Sequence, residues 1–497
     1  MKKIRKNLLA FLLTVLLLAA TAAGVIPLQA ETPFIYEVAE GAVTITGCDK
    51  EAEGVLEIPA TIEDVPVTAV GPRAFYGCKE LTAVTIPASV TAIGEVAFGD
   101  CTSLTAIRVN KDNTAYCDEN GVLFSKDKKC LVCFPPRHTN GGYTVPDSVT
   151  TIGTRAFFGC LLSAVEIPRT VTSIESSAFH FSPGLTQVTL PDSITAIEYG
   201  VFSSCINLMS VTIPDSVTSI GDYAFAGCAK LEAVTIPAAV TSIGDSAFSG
   251  CYSLKKINIP DGVTAINHRT FFQCKSLPTI QLPDSVTSIG NRAFFFCDEL
   301  KTVGMSEAVT SIGNEAFAGC YSLSNILLPE NLAVIGEQAF HYCLKLQAIA
   351  IPDNVTAIGY GAFAECSSLA EATVSERVSA LPASAFRDCA KLTTVTLPRG
   401  MVSIGYDAFL GCNALLKVQY GGSIDDRGKI AFDDGNKKLT SVEWIYAIQE
   451  DGAPVVQSPA EVVDEGLPPW LVPIIYIVVI LLAIGFIFML FRKPSEY

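Results

Sequence analysis

A Phe-x-x-Cys motif recurs along this chain, and from residue 202 to residue 412 its period is always 23 residues. A fixed period of this length indicates one small unit stacked many times, because such a unit cannot bury its own apolar face. The motif therefore predicts a solenoid. We call the repeated aromatic residues the ladder phenylalanines; in the strictly periodic part they are Phe202, Phe225, Phe248, Phe271, Phe294, Phe317, Phe340, Phe363, Phe386 and Phe409.

Further units lie on either side of the strictly periodic part. Four precede it, centred on Phe75, Phe98, Phe157 and Phe179, and Phe432 marks a degenerate last one. The sequence thus predicts about 15 units of 23 residues. At a spacing of ~4.8 Å per coil, the array should be on the order of 70 Å long.

The unit that runs from Leu208 to Cys228 shows the expected local structure. Val211 and Ile213 alternate with polar residues, which predicts a strand with one buried face. Pro-Asp-Ser turn residues follow, and a second short extended segment is expected at Val217–Ile220. After a reversal at glycine, one helical turn with a single apolar face is predicted, formed by Ala224, Phe225 and Cys228.

Two breaks interrupt the period. Cys101 and Cys160 are separated by an insert at about 110–140, within which 116–124 and 129–134 resemble strands. We expect a hairpin that continues the sheet or projects from it. The second break is a shortened step that ends at Ser182, where serine replaces the repeated cysteine and Glu175 replaces the usual glycine.

The regions that flank the repeats are predicted to be caps, because the terminal apolar faces of a solenoid need covering. Residues 31–70 form the expected N-terminal cap and 71–412 the solenoid. Residues 413–447 combine the degenerate repeat with a C-terminal cap. Residues 448–469 are rich in proline, alanine, valine and acidic residues without periodicity, which indicates an extended stalk.

The first 30 residues have the features of a secretory signal peptide. A basic segment, an apolar segment and small residues follow one another. Cleavage is expected after Ala30, with the Ala20–Ala23 region as the alternative, and an uncleaved N-terminal anchor is a further alternative.

The C-terminal region resembles a membrane anchor. Residues 471–491 carry no charge and are long enough to cross a ~30 Å hydrocarbon layer. Trp470 precedes this run and Arg492-Lys493 follows it, which predicts a transmembrane helix at 470–491 and a cytoplasmic tail at 492–497. The other interpretation is a buried core helix. We expect a single-pass type I protein of the plasma membrane with an extracellular repeat domain.

The repeat unit resembles the BspA-type leucine-rich repeat, whose pattern is close to L-x-x-V-x-I-P-x-S-V-T-x-I-G-x-x-A-F-x-x-C. Leu231–Cys251 and Leu277–Cys297 match it nearly throughout, and the insert at Tyr116–Pro136 and the segment Tyr420–Ser423 resemble other parts of the family. The resemblance covers about residues 34–447. It implies a β-rich α/β solenoid on a bacterial or protist cell surface, often linked to adhesion, and it implies no catalytic residues.

Thirteen of the 17 cysteines occupy one repeat position. Parallel side chains on stacked coils satisfy disulfide geometry poorly, and cysteine packs well as a small apolar residue, so we expect reduced thiols in the core. This interpretation competes with disulfides. The ladder cysteines are Cys78, Cys101, Cys160, Cys205, Cys228, Cys251, Cys274, Cys297, Cys320, Cys343, Cys366, Cys389 and Cys412.

The insert holds the other candidate chemistry. Cys130 and Cys133, with Cys117 and His138 nearby, could hold zinc or form a local disulfide, but packing is the preferred interpretation. The remaining histidines, His180, His268 and His341, form no cluster. Turn residues repeat at Asp192, Asp215, Asp284 and Asp353, where they could also line an edge with negative charge; Asn354 begins a lone glycosylation sequon to which we assign no role.

The sequence therefore favours a non-enzymatic surface protein without cofactor or metal. A net charge of −16 disfavours nucleic acid as a partner. An extracellular protein or glycan is the expected ligand, bound on a flank of the solenoid, and no small-molecule substrate is expected. The alternative is a structural spacer or scaffold of the cell envelope that contacts other membrane proteins.

Overall fold

A computed structural model describes residues 32–447, which form a β-solenoid of about 18 turns. The predicted signal peptide, stalk, transmembrane helix and tail lie outside the described residues. Between residues 32 and 447, no helix combines the length and the apolar composition that a membrane crossing requires.

Most coils place two short strands in two parallel rows. The first-row strands pair with a shift of one repeat, so that Val165 lies beside Val188 and Val188 beside Val211. Valine and isoleucine at these positions favour a half-buried pleated surface. The first row contains β6 (Leu81–Ile86), β8 (Ala106–Val109), β12 (Gly142–Thr144), β14 (Ala164–Glu166), β16 (Gln187–Thr189), β18 (Ser210–Thr212), β20 (Ala233–Val234), β22 (Lys256–Ile257), β24 (Thr279–Gln281), β26 (Thr302–Gly304), β29 (Ala348–Ala350), β31 (Glu371–Thr373), β33 (Thr394–Leu397) and β35 (Lys417–Tyr420).

The second row follows the turn after each first-row segment, where Pro-Asp is one of several recurring residue pairs. Most of its strands have two residues, and one of the two, usually isoleucine, points into the core. The second row contains β7 (Ala92–Ile93), β11 (Cys130–Cys133), β13 (Thr151–Ile152), β15 (Ser173–Ile174), β17 (Ala196–Ile197), β19 (Ser219–Ile220), β21 (Ser242–Ile243), β23 (Ala265–Ile266), β25 (Ser288–Ile289), β27 (Ser311–Ile312), β28 (Val334–Ile335), β30 (Ala357–Ile358), β32 (Ala380–Leu381), β34 (Ser403–Ile404) and β36 (Ala431–Phe432).

The third side of each coil, which we call the turn flank, is not helical, and the prediction of a helical turn was wrong. Tyr223 and Gly227 have φ angles of 56° and 73°, which interrupt any right-handed helix. The intervening backbone bonds to the next coil instead: Phe225 N–H donates to Ala247 O at 2.8 Å. Hydrogen bonding between coils is favoured over a helical turn because it extends over the whole array, whereas one isolated helical turn is unstable.

The ladder phenylalanines stack along the core as predicted. From Phe157 to Phe409 the successive ring centroids lie 4.7–5.8 Å apart. Phe134, inside the insert, stacks on Phe157 at 5.0 Å and is a ladder member that the motif search missed. The hydrophobic core divides near the insert into one cluster between residues 34 and 123 and another between residues 122 and 439.

The insert continues the second row. Strands β9 (Tyr116–Glu119) and β10 (Val122–Ser125) form an antiparallel hairpin, and β10 also pairs with β11. Strand β11 then joins β13 in parallel, so the hairpin is attached to the edge of the stacked row.

Both ends of the described region add turns beyond the predicted units, which explains why the solenoid has about 18 turns rather than about 15. At the N-terminal end β2 (Ala42–Cys48) pairs in parallel with β5 (Val65–Val70), and β3 (Gly54–Glu57) pairs with β6. At the other end β35 pairs with β37 (Glu443–Tyr446). These strands lack the Phe-x-x-Cys motif, so a motif search does not count them. The N-terminal end also contains β1 (Phe34–Ala39) and β4 (Thr61–Ile62).

Helical structure is confined to two short segments of the C-terminal region in the described chain. Helix α1 (Ile424–Arg427) begins at a capping box formed by Ser423 and Asp426, and a 3-10 helix spans Lys437–Thr440. The fold is therefore a β-solenoid, and the α component of the predicted α/β class is nearly absent.

Candidate functional site: an aromatic row on the turn flank

The thirteen ladder cysteines are buried free thiols in the structure. Each from Cys205 to Cys412 donates to the carbonyl of a ladder phenylalanine in the preceding coil, as Cys251 Sγ does to Phe225 O at 3.2 Å. Burial raises the pKa of Cys205 and of Cys251 to about 12. Neutral, buried thiols are poor nucleophiles and poor metal ligands, so the side chains of Cys205 and Cys251 act in packing.

The three cysteines of the insert lie in different surroundings. Cys117 Sγ donates to Ser125 O at 3.2 Å, and burial raises the pKa of Cys130 to about 11 and that of Cys133 to about 12. His138 Nδ1 lies 3.0 Å from Thr105 O. In the described part of the chain, no three His, Cys, Asp or Glu side chains are placed to hold a metal ion.

The other residues singled out from the sequence also lie apart. The ring of His180 lies 5.6 Å from that of Phe158, and burial lowers the pKa of His180. Asp192 forms an exposed ion pair with Arg169 at 3.3 Å, and Asn354 Nδ2 donates to Glu330 O at 2.8 Å. These contacts are those of surface and turn residues.

The outer faces of the two strand rows use part of their hydrogen-bonding capacity within the solenoid. On the first row, the hydroxyls of Thr279 and Thr302 lie 3.0 Å apart. On the second row, Thr218 Oγ1 donates to Thr195 O at 3.2 Å, and the same bond recurs in other coils. The turn flank is different, because several of its coils expose aromatic side chains.

Four of these aromatic side chains, Phe272, Phe295, Phe296 and Tyr321, are linked by ring contacts, and together with Tyr252 we call them the aromatic row. Phe272 and Phe295 stack at 5.2 Å with an interplanar angle of 6°. Phe296 meets Phe295 edge-on at 4.4 Å and lies 5.8 Å from Tyr321. All five are partly exposed, and a contiguous exposed apolar patch of this kind marks interaction sites in soluble domains.

Three cations lie beside the aromatic row. The Arg269 guanidinium is 5.4 Å from the centre of the Phe272 ring, and the Arg292 guanidinium is 5.6 Å from that of Phe295. Lys275 Nζ lies 5.9 Å from the centre of the Tyr252 ring. These distances are typical of cation–π contacts, which hold the flat side chains in place.

The charges around the row are only partly balanced. Arg292 pairs with Glu315 at 2.7 Å and Lys275 with Asp298 at 3.7 Å, whereas Arg269 has no ion pair in the described part of the chain. Arg269 Nε and Asp298 Oδ1 are buried polar atoms without a hydrogen-bond partner among residues 32–447. Burial raises the pKa of Asp298, although Lys275 opposes the shift. The row therefore combines partly exposed aromatic area with neighbouring cations, which is the composition of a binding hot spot.

The sequence search did not identify the aromatic row. The signal was present: an arginine two residues before a ladder phenylalanine and a second phenylalanine directly after it, in two consecutive units at Arg269–Phe272 and Arg292–Phe295. About half of the other units carry a small residue after the ladder phenylalanine, such as Ala226 or Ser249. Only the stacked coils show that the two extra rings touch.

The stacked coils, their period and their hydrogen-bonded rows define a leucine-rich repeat solenoid. Six copies of the BspA type leucine rich repeat region match residues 58–128, 140–255, 241–370 and 310–440. This match covers more than half of the chain, which therefore belongs to the BspA type leucine-rich repeat family.

Solved structures with the same repeat resemble this chain. A leucine-rich repeat protein from Bacteroides ovatus is 27% identical over 85% of this chain and 100% of that one, with a TM-score of 0.53. A leucine rich cell surface protein from Faecalibacterium prausnitzii is 28% identical over 83% and 100%, with a TM-score of 0.42. The pneumococcal vaccine antigen PcpA is 19% identical over 84% and 98%, with a TM-score of 0.43. No curated protein matches the chain.

Proposed function

We propose that this protein is a non-enzymatic, membrane-anchored adhesin-like receptor of the cell surface that binds an extracellular protein or glycan through the aromatic row. The observation that carries this proposal is the stack of Phe272 on Phe295 beside Arg269 and Arg292 on a rigid flank. Aromatic and arginine side chains supply most of the affinity in interfaces, because they bury large areas at a small cost in conformational entropy.

The location is part of the same proposal. The signal peptide predicted at 1–30 and the transmembrane helix predicted at 470–491 favour a single-pass type I protein of the plasma membrane. In that orientation the repeats face outward. The family membership supports a surface role, since the relatives include a protein described as a cell surface protein.

Binding of the full-length protein to arrays of matrix proteins and glycans tests the proposal. A Phe272→Ser/Phe295→Ser variant should lose at least about tenfold in affinity, because two hot-spot rings are removed. The matched control is Tyr199→Ser/Tyr223→Ser, which removes another exposed ring pair of the same flank, 5.5 Å apart. Equal binding by the two variants, or no saturable binding by the wild type, would contradict the assignment of the row.

A spacer or scaffold in the cell envelope is the second candidate. It is favoured by the uninterrupted core between residues 122 and 439, which makes one stiff rod. In that case co-purification of other membrane proteins should depend on residues 471–491 and should survive the Phe272→Ser/Phe295→Ser change. Loss of co-purified proteins in the ring variant would favour the receptor instead.

A further inference from the structure

The first ladder cysteine lies in an environment that differs from that of the later ones. Cys101 Sγ donates to Phe75 O in the preceding coil at 3.0 Å, and later ladder cysteines such as Cys251 make the same hydrogen bond. Cys78 begins the ladder and faces the N-terminal cap, where its Sγ lies 3.7 Å from Asp49 O. Its thiol is also in side-chain contact with that of Cys48, which ends β2 and lies outside the repeat pattern.

A cation lies beside this pair. Lys50 Nζ donates to Tyr76 O at 2.6 Å and lies 3.8 Å from Cys78 Sγ. The hydrogen bond from Cys48, together with the charge of Lys50, lowers the pKa of Cys78, and the same hydrogen bond raises the pKa of Cys48. A thiol beside an ammonium group reacts faster, because the thiolate is the nucleophile.

The inner ladder contains thiol contacts without these features. Cys389 touches Cys412, but burial raises the pKa of Cys389 well above its usual value. These two side chains also extend in parallel from equivalent positions of stacked coils, which satisfies the disulfide dihedral poorly. Cys48 and Cys78 come from a cap strand and a turn, so their side chains approach from different elements.

We propose that Cys48 and Cys78 form a disulfide bond that fastens the N-terminal cap to the first coil. The oxidant is a disulfide-bonded thiol compound or protein. The Cys78 thiolate attacks one sulfur of that disulfide, forms a mixed disulfide and releases the other sulfur as a thiolate. The Cys48 thiol then gives its proton to solvent and its sulfur attacks Cys78 Sγ, which releases the second oxidant thiolate. Two electrons pass to the oxidant, and the two protein thiols lose their protons.

The bond would close a loop that contains β3, β4 and β5, and such a closure removes conformations from the unfolded chain. Such a cross-link stabilises most at the end of a solenoid, because a terminal coil has a neighbour on one side only. Reduction would then loosen the cap and leave the inner coils stacked.

Peptide mapping of the full-length chain tests the proposal. The reduced protein is incubated with oxidised glutathione, denatured in iodoacetamide without reductant, and digested. The expected product joins the peptides of Cys48 and Cys78, while Cys228 and Cys251 are alkylated. Complete alkylation of both Cys48 and Cys78, or a dominant link between inner ladder cysteines, would overturn it. This measurement needs no variant and no ligand, so its result is independent of whether the aromatic row binds a partner.

Variants add a kinetic test. Lys50→Gln should slow formation of the link several-fold at neutral pH and move its pH dependence to higher pH, because the Cys78 thiolate loses its neighbouring cation. Lys230→Gln, at an exposed lysine of an inner coil, is the matched control and should leave the rate unchanged. Equal rates for the two variants would remove Lys50 from the proposal. In Cys48→Ser the link should be lost and the mixed disulfide on Cys78 should accumulate.

Discussion

At the scale of single residues, two side chains of the repeat connect each coil to its neighbours within the core. Phe248 is fully buried and stacks on Phe225 at 5.3 Å and on Phe271 at 5.8 Å. The cysteine three residues later anchors the same coil to the carbonyl of the previous phenylalanine. Serine can take this second role, since Ser182 Oγ donates to Phe157 O at 2.5 Å.

Replacement of a ladder phenylalanine should be far more costly than replacement of its exposed neighbour. Phe248→Ala should lower the free energy of unfolding of the surrounding coils by about 3–5 kcal/mol, because it leaves a cavity and removes two ring contacts. Phe272→Ala is the matched control, with an expected loss below about 2 kcal/mol because the ring is partly exposed. Urea unfolding followed by far-UV circular dichroism measures both, and similar losses would contradict a buried ladder.

At the scale of elements, a buried polar side chain makes four of the hydrogen bonds that hold the start of the insert. Asn113 is buried, and its Nδ2 donates to Pro87 O and Val90 O at 2.8 Å each. Its Oδ1 accepts from the backbone N–H groups of Ala115 and Tyr116. The side chain thus uses its full hydrogen-bonding capacity to join the β9–β10 hairpin to the second coil.

The insert should detach when this side chain is removed. Asn113→Ala leaves carbonyls and N–H groups buried without partners, so we expect a loss of at least about 3 kcal/mol in local stability. Hydrogen exchange of Tyr116–Ser125 should speed up while that of inner coils such as Ser219–Ile220 stays unchanged. Asn354→Ala, which removes one exposed hydrogen bond, is the control. Unchanged exchange in the hairpin would show that the hairpin does not depend on Asn113.

The insert also interrupts the aromatic ladder. A cavity of about 240 Å³ lies between the coil of Phe98 and that of Phe134, and the Arg155–Glu95 ion pair spans it at 3.8 Å. Glu175, which replaces a glycine, accepts hydrogen bonds from Thr154 N and Oγ1 at 2.8 and 2.9 Å at its edge. Both sequence irregularities therefore meet at one junction, where the core divides.

At the scale of the whole molecule, the repeated thiols couple stability to pH. The folded-state pKa of Cys205 and of Cys251 is raised to about 12, above the usual value of about 8.5 for an unfolded chain. The stabilisation is therefore complete below about pH 8.5 and is lost as pH rises toward 12, because only the unfolded chain ionises its thiols there.

Alkaline solution should unfold the solenoid in proportion to its number of buried thiols. Each thiol adds a slope of about 1.4 kcal/mol per pH unit above pH ~9. A Cys228→Ser/Cys251→Ser/Cys274→Ser variant should lower that slope by roughly 4 kcal/mol per pH unit, since serine does not ionise in this range. Urea titrations at several pH values between 8 and 11 measure the slope. Parallel curves for the variant and the wild type would contradict the linkage.

The sequence alone was sufficient for the regular part of the molecule. A constant period places each valine, isoleucine, phenylalanine and cysteine next to its equivalent in the following coil. The correct interpretation of one unit therefore predicts the solenoid, its two strand rows and its stacked core. Family membership followed from the same residues. The local backbone of the turn flank did not follow, because spacing cannot distinguish one helical turn from turns that bond to the next coil.

Only the tertiary structure decided the features that depend on contacts between different elements. Phe134 joins the ladder although no Phe-x-x-Cys motif marks it. Asn113 bonds two distant carbonyls as well as two nearby N–H groups, and Cys48 meets Cys78 across the cap. The aromatic row likewise arises because stacking brings Phe272 and Phe295 to 5.2 Å. Periodicity describes what each coil shares with its neighbours, whereas these sites are formed by what a coil does not share.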